Sequence, residues 1–503
     1  MSESLADHFA EQAERQPEAP ALIWDGRAIS YGELQEMAFR AHAELEALGL
    51  PADRPVGLQA RKSPEAIALI LACLKAERPF LLPSIELAPE TLAKLFGQGG
   101  AAQVLSPADG PDGAVGPGEV APDEATEAQW PPAGETGDIA FMLTTSGSTG
   151  LPKIVPLSSS AIHNFTDWAA SQFDIGPGTK VLNYAPLNFD LCLLDIWTTL
   201  KAGGCVVLVD QARATHGGYL ADLIADNEVA VVQAVPMLYR LLIDATRESG
   251  VRFPSVKHVI TTGDKIPATS LAQLPDLFAN AHVFNIYGCT ETNDSMIHEF
   301  DLSGGEVPAK VPIGHPLPDV DARVEDEDGA PVEGAGTGEL LVWTPFQTRG
   351  YLDAARNEGT FVSRADDGQG ERTYYRTGDI VRRHEDGLLT LEGRTDFYVK
   401  VRGVRVSTQV VEQAIQEHPD VVEVAVIAVP DEMAGSKLHA VVLPQPESGF
   451  NGMTVRKHLV GRLARTEMPG SIQIVTEPLP KTSTGKIDRK KIAPPQDRSR
   501  VAG

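Results

Sequence analysis

The ten residues Thr144-Thr-Ser-Gly-Ser-Thr-Gly-Leu-Pro-Lys153 concentrate hydroxyls and glycines directly after the apolar run IAFML. Such a stretch can offer a phosphate chain backbone N–H groups and O–H donors, while Lys153 adds a positive charge. The G-x-x-x-x-G-K-S/T pattern is absent, which disfavours a P-loop NTPase, and a plain flexible Ser/Gly loop is the competing reading. A second Ser/Thr/Gly loop, Pro480-Lys-Thr-Ser-Thr-Gly-Lys-Ile-Asp488, carries Lys486 where a core role is implausible and a solvated basic tail is the alternative.

Loops of this kind must be held by regular elements. From Ser30 to Leu50 apolar residues recur at helical spacing and Gly49 supplies a stop. VGLQA, a helix near Pro64 to Lys75 and PFLLP then alternate as in α/β layering. Between Leu105 and Asp138 the chain is dense in Pro, Gly and acid and reads as a surface loop. The runs IAFML, KVLNYAP, GGCVVLVD, VAVVQAVP, KHVITTG and HVFNIYG, several followed by helical periodicity, predict a mainly parallel sheet covered by helices. Past Gly338 the pattern is strand-rich, and beyond Asp396 it is compact α+β. The expected fold is therefore α/β: a large N-terminal domain over 1–395, with mainly parallel sheets, helices and a β-rich subdomain, and a small α+β domain over 396–503.

Charge and cysteine content narrow the function. The 503 residues hold 43 Lys+Arg against 69 Asp+Glu, a formal charge of −26, which argues against nucleic-acid binding. The last 108 residues carry 15 basic and 12 acidic groups, net +3, attached to a −29 body. Cys73, Cys192, Cys205 and Cys289 are scattered without a C-x-x-C pair, so neither a disulfide framework nor a zinc knuckle is indicated. With no signal peptide and no 18-residue apolar run, a soluble cytoplasmic protein is expected.

TTSGSTGLPK, read with Tyr287-Gly-Cys-Thr-Glu-Thr292, Tyr375-Arg-Thr-Gly-Asp379, Gly393-Arg-Thr-Asp396 and Pro480–Asp488, resembles the adenylate-forming superfamily of acyl-CoA synthetases, peptide-synthetase adenylation domains and luciferases. The resemblance covers nearly the whole chain, starting at Ile29-Ser-Tyr-Gly-Glu-Leu34. It implies an AMP-forming ligase using ATP and Mg²⁺. Thr145, Ser146, Gly147, Ser148, Thr149, Gly150 and Lys153 would cradle the nucleotide. Tyr287 would stack on adenine, Asp379 with Arg394 would take the ribose hydroxyls, Thr290 would contact the α-phosphate, and Glu291 would hold Mg²⁺. Lys486 would bridge carboxylate and phosphate oxygens, and Asp396 would be the hinge about which the small domain swings. After RGVRV this chain has Ser407-Thr-Gln-Val410 where the family commonly has Glu-Pro and a further acid, which puts local contacts of the thioester-forming state in doubt.

Amino-acid-activating members carry an Asp like Asp190 of Asn188-Phe-Asp190, which pairs with the substrate α-ammonium; a helix N-cap is the bland alternative. By the same resemblance the pocket would be lined by Asp190, Leu191, Leu194, Gln233, Ile260, Thr262, Ile286, Asp294 and Ser295. Asp-Leu-Leu is similar to freestanding proline-activating enzymes, which favours proline or another small amino acid, polar ones included, although Gln233, Thr262 and Asp294 are more polar than proline requires; Asp294 could meet a side-chain amine or amide, or face water. Cys289 stands where a proline is usual. The chain stops 17 residues after Lys486, so the expectation is a separate enzyme that loads the phosphopantetheine thiol of an acidic carrier protein in trans. An acyl- or aryl-CoA synthetase, and a catalytically silent binding protein, are the competing readings.

Overall fold

The computed structural model describes residues 4–108, 114–131, 137–145, 151–302, 307–308, 310–366, 370–395, 398–401, 404–431, 435–446, 448–460, 462–463, 467–481 and 487–492. The chain divides into two compact units: Met1–Arg323 with Leu341–Arg376 and Glu385–Thr390, and Val324–Leu340 with Thr377–His384 and Leu391–Gly503.

In the first unit, strands Lys180–Asn183, Cys205–Leu208, Val231–Ala234, His258–Thr262 and His282–Cys289 run parallel, and Pro20–Trp24 extends them in parallel. Their interiors are almost unbroken Val, Ile and Leu, as in strands covered on both faces. Asn293–Phe300 folds back antiparallel on His282–Cys289. A six-stranded sheet follows the order Val115–Pro117, Val104–Pro107, Val56–Leu58, Phe80–Leu81, Ile139–Thr145, Lys153–Ser158. Helix Tyr31–Ala47 begins at a capping box in which Ser30 and Glu33 satisfy each other's backbone N–H, and the chain leaves it through Gly49 at φ +60°. Helix Pro64–Lys75 spans the residues expected of it, with Ser63 as N-cap and Pro64 in its first turn.

The segment after Leu105 is more ordered than its composition suggests. Val104–Pro107 and Val115–Pro117 pair as antiparallel strands, and Trp130 packs on the Leu92–Phe96 cluster while its indole N–H donates to the Asp53 carbonyl at 2.8 Å. A few apolar anchors spaced through a polar stretch bind it to the core, although its mean composition reads as loop.

The second unit is α+β. Val421–Asp431 and Gly435–Pro444 pair antiparallel, Ser471–Ile474 joins in parallel, and helices Thr408–Gln416 and Gly452–Leu459 close a core that includes Val411, Ile415, Val426, Leu438 and Leu459. The strand-rich text past Gly338 forms Gly336–Trp343, Gly370–Arg383 and Leu389–Arg394, each with residues in both units.

Candidate active site

Thr145 and Lys153 face each other in the antiparallel register of Ile139–Thr145 and Lys153–Ser158, so the hydroxyl-rich loop is closed by a hairpin. Ser146, Gly147, Ser148, Thr149 and Gly150 lie outside the described residues, as do Asp396 and Lys486. The Thr145 hydroxyl is buried with no hydrogen-bond partner among the described residues.

Lys153 donates to the hydroxyl of Tyr351 at 3.0 Å and its Nζ lies 4.4 Å from that ring's centroid. Tyr351 in turn donates to Oε1 of Glu291 at 2.6 Å, and its hydroxyl lies 3.5 Å from that of Tyr375. Glu291, Tyr351 and Tyr375 are buried. Tyr351 thus joins residues of three separate motifs. Burial and the neighbouring Glu291 charge push its phenol well above the ordinary range, so it stays a neutral donor to the carboxylate. Sequence reasoning missed this residue, because Arg349-Gly-Tyr-Leu352 bears no hydroxyl or glycine pattern of its own. Its position comes from lacing of the preceding segment: Thr344 donates to the Thr292 carbonyl, Asn293 to the Phe346 carbonyl, Thr348 N–H to the Glu291 carbonyl, and Thr348 Oγ1 to the Pro156 carbonyl.

Tyr287 and Thr290 sit where His282–Cys289 turns into Asn293–Phe300. The turn is tight: a Cβ on Gly288 would lie 2.2 Å from the Asn293 carbonyl oxygen, and Asn293 itself has φ +54°. Thr290 Oγ1 donates to Oδ2 of Asp190 at 2.7 Å. Asp190 precedes a turn of π-helix, Leu193–Thr198, whose N-cap residue is Cys192 with no side-chain cap. Such π-turns concentrate at functional sites. Asp190 is therefore not the helix cap; its carboxylate meets Thr290.

Around this point the structure brings together apolar and polar residues singled out in the sequence. Leu194, Ile260 and Ile286 are buried in one core cluster with Leu191 packed against it, and Thr262 and Ser295 are buried too. Gln233, 1% exposed, spends its amide N–H groups on the Leu191 carbonyl (3.1 Å) and Asp195 Oδ1 (2.9 Å). Asp195 also accepts from Asn183 at 3.1 Å, and buried Lys62 donates to the Asn183 and Tyr184 carbonyls. Burial pushes Asp195 up to about 8 and Lys62 down to about 7. Burial, then the Asp190 charge, push Asp294 up to about 8.

In the second unit Asp379 is buried and receives Arg394 at 3.1 Å; its N–H donates to Thr377 Oγ1, which donates to the Leu340 carbonyl. The two ends of the Lys486 loop are pinned together by the Lys481–Ile487 bridge and by Asp488 N–H donating to the Pro480 carbonyl at 2.7 Å. Arg489 then grips Glu412 through two nitrogens. Ser407 accepts from Val410 N–H and so caps helix Thr408–Gln416 at the site of the departure noted above.

Residues 9–352 match the AMP-binding enzyme family and residues 410–486 the AMP-binding enzyme C-terminal domain. The chain belongs to the AMP-binding enzyme family. This enzyme is 30% identical to an L-proline:L-prolyl-carrier protein ligase of Pseudomonas fluorescens over 97% of its own length and 98% of the relative's. It is 27% identical to a D-alanine:D-alanyl carrier protein ligase of Bacillus licheniformis, over 97% and 98%. Its structure superposes on ATP-bound MatB from Rhodopseudomonas palustris with a TM-score of 0.78 and 25% identity, covering 96% and 97% of the two chains. The enzyme's described residues include no helix long and apolar enough to cross a membrane, and no group of three or more His, Cys, Asp or Glu placed to hold a metal ion.

Proposed function

We propose that the enzyme joins an amino-acid carboxylate to the α-phosphate of ATP, releasing pyrophosphate, and then passes the aminoacyl group to the phosphopantetheine thiol of a separate, acidic carrier protein, releasing AMP. The observation that carries the amino-acid reading is the placement of Asp190: a carboxylate freed from helix capping, beside Thr290 and the buried side chains of Leu194 and Ile286. An α-ammonium is a charged partner that such a group can take. The two carrier-protein ligases matched over nearly their full length support the same chemistry.

In this reading Thr145 to Gly150 and Lys153 hold the phosphates, Tyr287 stacks on adenine, and Asp379 held by Arg394 accepts the ribose hydroxyls. Thr290 has one O–H and gives it to Asp190. An arriving ammonium can take over that role and leave Thr290 free to donate to the α-phosphate, so binding of the acid prepares the phosphate site. Lys486 neutralises charge that develops as the carboxylate oxygen attacks phosphorus. Glu291 offers a hard oxygen donor suited to Mg²⁺, which takes one or two carboxylates and completes its shell with phosphate oxygens and water. The ion would neutralise phosphate charge. Residues 396–503 would rotate about Asp396 between the half-reactions, and four cysteines outside any disulfide fit a cytoplasmic setting.

The test is amino-acid-dependent exchange of pyrophosphate into ATP, run beside transfer of labelled amino acid to a phosphopantetheinylated carrier. Exchange with simple carboxylic acids but with no amino acid would overturn the reading in favour of an acyl-CoA synthetase.

A further inference from the structure

Two adjacent parallel strands, Lys180–Asn183 and Val231–Ala234, carry amides opposite each other near their carboxyl ends, Asn183 and Gln233. Both side chains donate to one carboxylate: Asn183 Nδ2 to Asp195 Oδ2 at 3.1 Å, and Gln233 Nε2 to Asp195 Oδ1 at 2.9 Å. All three residues are buried, and Asp195 is the one charged residue of the π-helical turn Leu193–Thr198. Asn183 leaves its own Oδ1 without a hydrogen-bond partner among the described residues. A buried acceptor is left unpaired only where the bond made instead is worth more, as a bond to a carboxylate is.

The fork reaches Asp190 through the backbone. Gln233 Nε2 also donates to the Leu191 carbonyl at 3.1 Å, and the same carbonyl accepts from Asp195 N–H at 3.1 Å. Leu193 N–H donates to the Asp190 carbonyl at 2.8 Å. A single π-turn is a rare conformation, and this one starts without a side-chain cap. Its support is a carboxylate tied to two neighbouring strands. Buried Lys62, which donates to the Asn183 and Tyr184 carbonyls, lies within electrostatic reach of Asp195 and supplies the positive charge that a buried acid calls for.

We infer that Asp195 is a positioning residue: locked by the Asn183 and Gln233 amides, it fixes the π-turn and with it the backbone from which Asp190 reaches Thr290. The inference rests on the amino-acid-activating reading above, in which Asp190 pairs with the α-ammonium. Asp195 acts on the substrate only through Asp190. Asparagine at position 195 would turn an N–H towards one of the two amide donors, so one arm of the fork breaks. The exchanged pair Asn183→Asp/Asp195→Asn keeps both arms: position 195 then donates to position 183 and still accepts from Gln233 through its oxygen.

The experiment is pyrophosphate exchange with the proteinogenic amino acid that the wild-type enzyme uses best, measured in Asp190→Ala, Asp195→Asn, the two combined, and the exchanged pair. Asp195→Asn is expected to raise KM for the amino acid by about 10–10²-fold and to leave KM for ATP unchanged. In the Asp190→Ala background it adds no further loss of kcat/KM, and the exchanged pair recovers most of the wild-type KM. A loss confined to kcat or shared by both KM values, losses that add in the combined variant, or an exchanged pair no better than Asp195→Asn alone each overturn the inference. If Asp190→Ala leaves KM for the amino acid unchanged, or if no amino acid supports exchange, the underlying reading fails instead. Where Asp195→Asn does not fold, Asn183→Leu removes one arm without a change of charge and carries the same expectation and the same grounds for rejection.

Discussion

The proposed phosphate side and the proposed acid side of the site are built on opposite terms. On the phosphate side Lys153, Glu291 and Tyr375 all meet the Tyr351 hydroxyl, so the polar groups hold one another before any ligand arrives. On the acid side Asp190 is met by a hydroxyl that can be displaced, and Asp294 Oδ2 has no donor among the described residues. The contrast fits a site that receives the same nucleotide in every turnover and a particular acid. Preorganisation serves the first, and a hydroxyl that an incoming group can displace serves the second.

The comparison can be broken from either side. The largest effect is expected outside both clusters: Lys486→Ala lowers the adenylation rate by about 10²–10³ with ATP binding nearly intact, because the lysine acts on charge present only in the transition state. Stopped-flow or exchange kinetics beside nucleotide titration measure this, and near wild-type exchange would remove Lys486 from the mechanism. Asp190→Ala removes the counter-charge for the ammonium and costs about 2–5 kcal/mol in kcat/KM for the amino acid. If its affinity for the amino acid is unchanged, Asp190 does not bind the ammonium.

Tyr351→Phe deletes the hydroxyl that links Lys153 to Glu291 and forfeits a bond to a charged group, about 1.5–3 kcal/mol. The loss should fall on the ATP half of the kinetics and leave the ranking of amino acids untouched; a changed ranking would mean that the two sides are one unit. The acid side should in turn respond to pH. With its pKa raised to about 8, Asp294 is mainly neutral at pH 7 and ionised above 8. For an amino acid with a cationic side chain, KM should fall by up to about tenfold for each pH unit below 8 as pH rises, and Asp294→Asn should abolish that slope. The groups facing Asp294 are Asp190 and Asp195, the latter electrostatically coupled to Lys62, so the same profile measured in Asp195→Asn separates their titration from its own. The smallest effect belongs to the second unit: Ser407→Ala removes a helix cap and costs about 1 kcal/mol of stability, seen as a lowered Tm with exchange unaltered.

Much of the scaffold was legible in the sequence because its signals are local. Ser63 and Pro64 mark the start of a helix within two residues, and runs such as CVVL read as covered parallel strands without reference to distant partners. The polar segment after Leu105 was not legible, since its order depends on where Val104 and Trp130 find a core to enter. Asp190 could be singled out, yet its sequence context fitted a cap equally well; only the position of Thr290, a hundred residues on, removed that reading.

By itself the sequence determined which chemical groups the enzyme possesses, in what order, and the local elements that carry them: the hydroxyl-rich loop, the acid at 291, the lysine at 486. Tertiary structure decided which of those groups are already satisfied. Lys153 and Tyr351 are 198 residues apart in the chain, and Gln233 and Leu191 are 42 apart, so neither bond leaves a periodic or compositional trace. The physical reason is that hydrogen-bond satisfaction is a property of where two groups meet in a water-poor interior. A sequence names donors and acceptors; the fold brings a tyrosine to Glu291 and leaves Asp294 Oδ2 without a donor among the described residues.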